Sequence, residues 1–114
     1  MTWVQDDDMY KNVAIVALEG YGDITSVTAD KTEVYPGDTI TITGELTATV
    51  AADNYIMYLR ISDDYGAIDG AWSSSHYLIV GASFISSHTF TIPTDIVVDG
   101  DNKLYIGAIG HHEE

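Results

Sequence analysis

The sequence predicts an all-β protein folded as one antiparallel β-sandwich of about seven strands, with an additional strand or arm at the N-terminus. Short segments that alternate apolar and polar residues recur along the chain, as half-buried strands do. Stretches rich in Gly, Asp and Ser separate them, and no segment has an amphipathic helical repeat. With 114 residues the chain is long enough for one domain with a real core. We expect an arm or strand in residues 1–20, the sandwich in 21–110 and a tail in 111–114.

The clearest predicted strand follows the turn signal Pro36-Gly37. From residue 39 to residue 50, even positions hold apolar residues or glycine and odd positions hold Thr or Glu. This period of two predicts a strand with its even positions in the core and its threonines in solvent. Gly44, on the even side, is expected to mark a bulge or bend.

The other strands are predicted from the same alternation. A short first strand precedes the turn, and the segment ending at Pro93 places His88 on its apolar side, where we expect a satisfied, partly buried histidine or one at a sheet edge. These strands cover residues 24–29, 55–62, 76–84, 87–93 and 103–110. The predicted loops cover residues 51–54, 62–75 and 99–102.

The segment of residues 12–18, NVAIVAL, is apolar on both parities, so it needs cover on both faces. One interpretation is an ordinary central or covered strand of the same sandwich. The other is an arm that adds to the sheet of a neighbouring subunit, with the glycines of GYGD (residues 20–23) as its hinge. In the second case the residues that contact the partner are Val13, Ile15, Val16 and Leu18.

The charge balance is strongly acidic, with 18 Asp and Glu against 4 Lys and Arg and a net charge of -14. Nucleic acid and anionic membranes are therefore disfavoured as partners, because their phosphates need clustered basic residues. No stretch approaches the ~20 apolar residues of a membrane-spanning helix. Three aspartates stand where a signal peptide has basic residues, so secretion by that route is not expected if Met1 is the natural start.

No catalytic motif is present, and we expect no enzyme. The sequence contains no nucleophile elbow, zinc-protease pattern or phosphate-binding loop, and its 0 cysteines exclude thiol chemistry. His111 and His112 lie in the expected solvated tail, where incidental metal binding is the alternative.

Calcium is the one cofactor that the sequence suggests. Asp99, Asp101 and Asn102 are closely spaced, and Asp95 is near, so loop oxygens of the kind that calcium prefers are available. The same residues are common in ordinary hairpin turns, and no complete calcium-binding loop is present. Both interpretations stay open.

Aromatic residues mark the long middle loop as a candidate recognition surface. Tyr65, Trp72 and Tyr77 lie in or beside it. Exposed Tyr and Trp favour binding of protein, or of sugar by stacking. The alternative is that they cap the end of the sandwich.

The segment ITSVTADKTEVYPGDTITITGEL, residues 24–46, resembles the first strands of immunoglobulin-like modules of bacterial and archaeal surface proteins, such as the CARDB-type domains. Residues 90–109 are similar to the closing half of such modules. The resemblance implies an immunoglobulin-like sandwich that serves as spacer, adhesin or virion part. The chain departs from the antibody pattern, since it has no disulfide pair and Trp72 is expected in a loop.

These observations favour a structural assembly protein over an enzyme. The expected setting is a virion, as a capsid decoration, turret or tail component, or a filament, with contacts to copies of itself or to other subunits. The alternative is an extracellular adhesin or surface-layer module that binds protein or carbohydrate.

Overall fold

A computed structural model describes residues 11–15, 23–98 and 102–113 of the chain, and within these ranges it contains nine β-strands and no helix. The all-β prediction is confirmed. The strands are β1 (Lys11–Ile15), β2 (Asp23–Ala29), β3 (Glu33–Val34), β4 (Thr39–Thr47), β5 (Ala52–Asp63), β6 (Gly66–Trp72), β7 (His76–Leu78), β8 (Ser83–Thr91) and β9 (Leu104–Glu113).

Two sheets form the sandwich, as predicted. The larger sheet has the strand order β3-β1-β9-β5-β6, and β7 also pairs with β5. The smaller sheet has the order β2-β4-β8. Neighbouring strands are antiparallel except β1 and β9, which are parallel.

β4 follows directly from the turn that precedes it. The Asp38 N–H donates to the Tyr35 carbonyl at 3.0 Å, and Gly37 has a φ of 87°, so Pro36 and Gly37 occupy the centre of a type II turn. The Asp38 carboxylate accepts the Tyr35 N–H at 2.9 Å. The turn fixes which side chains of the strand face the core, and the even-numbered residues from Ile40 to Ala48 are buried as predicted. The prediction was wrong at its end, because β4 stops at Thr47 and Val50 is exposed.

Gly44 permits close packing of the sheets and is not the site of a bulge. The β4–β8 register is continuous, and the irregularity of this sheet lies in β2. A Cβ at Gly44 would lie 2.5 Å from the sulfur of Met57 and 3.0 Å from Leu59 Cδ2, on β5 of the opposite sheet. The glycine therefore makes room for the core side chains of β5.

The core lies between the sheets and draws on both. Tyr55 is fully buried, and its hydroxyl donates to the Val50 carbonyl at 2.6 Å, which satisfies the phenol at the corner between β4 and β5. The largest fully buried side chains include Tyr55, Phe90, Ile40, Leu46, Met57 and Ile106.

Four sequence predictions about elements were wrong. Most of the loop predicted over residues 51–54 is strand, because β5 begins at Ala52. The middle loop of residues 62–75 contains the end of β5 and the whole of β6, joined by a tight turn. The single strand predicted over 76–84 is β7 and the start of β8, separated by a turn at Gly81, whose φ is 85°. Residues 111–113, expected in a tail, continue β9 and pair with β5 through its backbone.

Candidate functional site

The outer side of the larger sheet carries a cluster of aromatic rings. β5 turns Tyr55 and Met57 into the core, so alternation turns Tyr58 outward. Trp72 of β6 is the register partner of Tyr58, and the two ring centroids are 4.7 Å apart. The indole also reaches His111 of β9, with ring centroids 5.4 Å apart. Tyr58, Trp72 and His111, together with Tyr77, are called the outer aromatic face below.

Gly70 explains how Tyr58 lies across β6. A Cβ at this position would lie 1.8 Å from the Tyr58 hydroxyl, so no other residue leaves room for the phenol in this orientation. Trp72 nevertheless keeps 58% of its surface exposed. The rings are held on paired strands rather than on a loop, so the face is preorganised for contact.

A cleft of about 300 Å³ adjoins the outer aromatic face. Its rim is polar: Ser75 Oγ donates to Asn54 Oδ1 at 2.8 Å, and Asn54 Nδ2 donates to Glu113 Oε2 at 3.4 Å. The cleft thus places an amide, a hydroxyl and a carboxylate beside the aromatic rings of this face. Its lining residues are Asn54, Ile56, Ser75, His111, His112 and Glu113.

The three predicted recognition aromatics do not form one site. Trp72 lies at the end of β6 rather than in a loop, and alternation along β7 places Tyr77, 66% exposed, on the same side of the sheet. Tyr65 is 67% exposed in the turn between β5 and β6. It lies about 20 Å from Trp72, the length of a seven-residue strand.

Tyr65 instead borders a second cleft, of about 310 Å³. Ile68, Pro93 and Val97 provide apolar walls, and Asp63 and Asp95 provide carboxylates. This cleft lies at the opposite end of β6 from the outer aromatic face.

The predicted arm residues are partly within the described ranges. Val13 and Ile15 belong to β1, where they are the register partners of Leu104 and Ile106 in β9. Val16 and Leu18 lie outside the described residues. Within the single chain β1 lies between β3 and β9, which is the arrangement of a central strand. Donation of β1 to a neighbouring subunit stays a prediction.

Of the predicted calcium ligands, Asp99 and Asp101 lie outside the described residues, and Asp95 is exposed beside the second cleft. Asn102 is 2% exposed. Its Oδ1 accepts the Asp64 N–H at 3.0 Å, and its Nδ2 donates to the Val97 carbonyl at 2.6 Å. These hydrogen bonds connect the turn after β5 to the loop before β9. They use both polar atoms of the side-chain amide that was predicted to bind calcium.

The acidic residues beside Asn102 also act in local structure. The Asp63 carboxylate accepts the Tyr65 N–H at 2.9 Å, and Asp64 accepts the Lys103 N–H at 3.0 Å. Among the residues that the structure describes, no group of three or more His, Asp or Glu is arranged to hold a metal ion. Calcium binding stays a prediction.

Tyr105, on β9, contacts the same loop. A hydrogen bond with the Asp64 carboxylate raises the pKa of the Tyr105 phenol above its ordinary value, and burial and the charge of Asp64 add to this effect.

His88 is exposed on β8 at the border of the smaller sheet, with its ring 4.6 Å from Phe90. The edge position is one of the two that its sequence context predicts.

Sequence reasoning missed Tyr58, Gly70 and the polar rim of the first cleft. Tyr58 had a usable signal, because its alternation with the apolar residues of β5 places it on the outer side. Asn54, Ser75 and Glu113 had none, since their proximity depends on the pairing of β5 with β7 and β9.

Neither a protein-family model nor a curated protein sequence matches the chain. No helix in the described part of the chain is long and apolar enough to cross a membrane.

Proposed function

We propose that this chain is a non-enzymatic assembly protein, held in a larger particle by protein–protein contacts. The observation that carries this proposal is the exposure of Trp72 in the outer aromatic face, on the rigid surface of the larger sheet. A virion is the particle that we infer first, with the chain as capsid decoration, turret or tail component. A filament is the second form of the same proposal.

The chemistry of the outer aromatic face supports a protein partner. Trp and Tyr are enriched at the centres of protein interfaces, because they bury a large apolar area with few rotatable bonds. Tyr58 and Trp72 already contact one another, so they lose little conformational freedom when a partner covers them.

The net charge of -14 adds a condition on the partner. Partner surfaces with Arg or Lys are favoured by the acidic surroundings and by contacts between cations and the Trp72 ring. If two copies of the chain associate, they must do so through surfaces on which the carboxylates of one copy do not face those of the other.

The test is fractionation of the protein from its native source on a density gradient. An assembly protein sediments within a particle far larger than a 12.4 kDa chain, and Trp72→Ala reduces its incorporation. Tyr65→Ala is the matched control, since Tyr65 is similarly exposed but lies at the other end of β6. Sedimentation of the wild-type protein as a free small species would refute the proposal.

A second candidate function is carbohydrate binding by an extracellular adhesin or surface-layer module. It is favoured by the position of Trp72 beside a cleft whose rim contains Asn54, Ser75 and Glu113. An indole face stacks on sugar rings, and amide and carboxylate groups bond their hydroxyls. A neutral glycan array distinguishes this candidate, which requires binding that Trp72→Ala abolishes and Tyr65→Ala preserves.

A further inference from the structure

β8 forms one edge of the smaller sheet. All nine of its residues pair with β4, in a continuous register from Ser83 opposite Thr47 to Thr91 opposite Thr39. Among the described residues, no strand pairs with its other side. The strand contains none of the features that usually protect an edge, since its sequence SFISSHTFT has no Lys, no Pro and no bulge.

The absence of acidic residues separates β8 from the other edges. The strands β2, β3 and β6, which also border the sheets, contain Asp23, Glu33 and Asp69 respectively. β7 has three residues and pairs with β5 at only two positions. In a chain with net charge -14, β8 is therefore the long edge on which two copies can meet without opposing carboxylates.

We propose that β8 pairs antiparallel with β8 of a second copy of this chain, which joins the two smaller sheets into one continuous sheet. This inference specifies an interface for the proposed assembly function and rests on it. The arrangement is two-fold symmetric, so one self-complementary strand suffices for both partners. Full overlap places Ser87 of one copy opposite Ser87 of the other.

The side chains on the outer face of β8 suit this pairing. On the outer face a ladder of hydroxyl pairs already links β4 to β8, with Thr41 and Thr89 oxygens 2.8 Å apart and Thr43 and Ser87 oxygens 2.7 Å apart. Ile85, on the same face, is 63% exposed and gains cover from the second copy. The backbone N–H and C=O groups on this side of β8, which pair with no described strand, gain partners at the same time.

Sedimentation velocity over a concentration series of the full chain tests the proposal. We expect a monomer–dimer equilibrium that strengthens with added NaCl, because salt screens the mutual repulsion of two acidic chains. Ser87→Glu brings two carboxylates together at the two-fold axis and raises the dimer Kd by about tenfold or more.

Thr43→Glu is the matched control, because it removes the same hydroxyl contact and adds the same charge, but on β4 in the centre of the sheet. This variant should retain dimerisation. Circular dichroism shows whether each variant is folded. Dimers that persist unchanged in folded Ser87→Glu, or a wild-type monomer at all concentrations and salt levels, would overturn the proposal.

The sequence contains 0 cysteines, which allows a second, positive readout. A short bis-maleimide should cross-link Ser87→Cys into dimers but leave Thr43→Cys monomeric, and the reverse result contradicts the interface. Trp72→Ala separates this proposal from the assembly function. If Trp72→Ala is no longer incorporated into particles but still forms dimers, the β8 interface is retained. If Ser87→Glu no longer forms dimers but is incorporated normally, β8 has no part in the assembly.

Discussion

At the scale of single residues, glycines decide how the sheets and rings approach one another. Gly44 lies opposite Met57 and Leu59 of the other sheet, and Gly70 lies beneath the ring of Tyr58. Neither has a φ that only glycine favours, so the requirement at both positions is space rather than backbone conformation. Gly44 makes room for side chains of the core, and Gly70 makes room for a ring of the outer aromatic face.

Gly44→Ala should destabilise the protein by about 1–3 kcal/mol, because the added methyl group overpacks the core. Its Cβ would lie 3.3 Å from the Cβ of Ala108 as well as against Met57, so movement of one flexible side chain does not relieve the contact. Urea unfolding followed by circular dichroism measures the loss. Thr43→Ala, an adjacent change on the solvent side, should cost less, and equal stability of Gly44→Ala and wild type would contradict the packing.

Tyr105 should titrate above 10.0, its ordinary pKa, because it is hydrogen-bonded to the Asp64 carboxylate. Since the folded protein holds this proton to higher pH than the unfolded chain does, the stabilisation is complete below the unfolded pKa and is lost as pH rises through the folded value. Asp64→Asn should lower the pKa towards its ordinary value. NMR titration of the Tyr105 ring carbon measures the pKa in the wild type and in the variant. An unchanged midpoint in Asp64→Asn would show that the Asp64 carboxylate does not raise the pKa of Tyr105.

At the scale of elements, β4 was predictable and β6 was not. β4 has one face in the core and one in solvent, so burial imposes alternation on its sequence. β6 lies at the border of the larger sheet, where none of its residues is fully buried, so its sequence carries no alternation. Residues 111–113 escaped prediction for a related reason, because the backbone bonds that hold them to β5 do not depend on side-chain type.

β1 is the element that tests the arm hypothesis. If β1 is donated between subunits, deletion of residues 1–20 should abolish the association that persists in Ser87→Glu, because β9 then loses the parallel strand that links it to the other subunit. Sedimentation velocity of the deleted and full chains measures this. Ser87→Glu is the complementary control, since it removes the β8 interface and leaves β1 intact. Unchanged assembly and stability after the deletion would refute the arm.

At the scale of the whole molecule, charge is the dominant variable. A net charge of -14 on one small domain opposes folding through self-repulsion, and salt screens this repulsion. We expect the melting temperature to rise as NaCl increases from about 0.05 to about 0.5 M, a range over which the screening length falls severalfold. Differential scanning calorimetry measures the rise. Potassium chloride should act equally, whereas a rise with calcium alone would indicate a specific cation site instead.

The sequence by itself determined the all-β class, the two-sheet sandwich, the parity of β4 and the acidic character of the surface. These properties follow from side-chain alternation and composition, which local sequence records directly. Only the tertiary structure decided that Tyr58, Trp72 and His111 form one face, that Asn102 ties two loops, and that β8 is an acid-free edge. Strand order and register bring these residues together across long stretches of chain, and both are set by backbone pairing, to which the identity of any one residue contributes little.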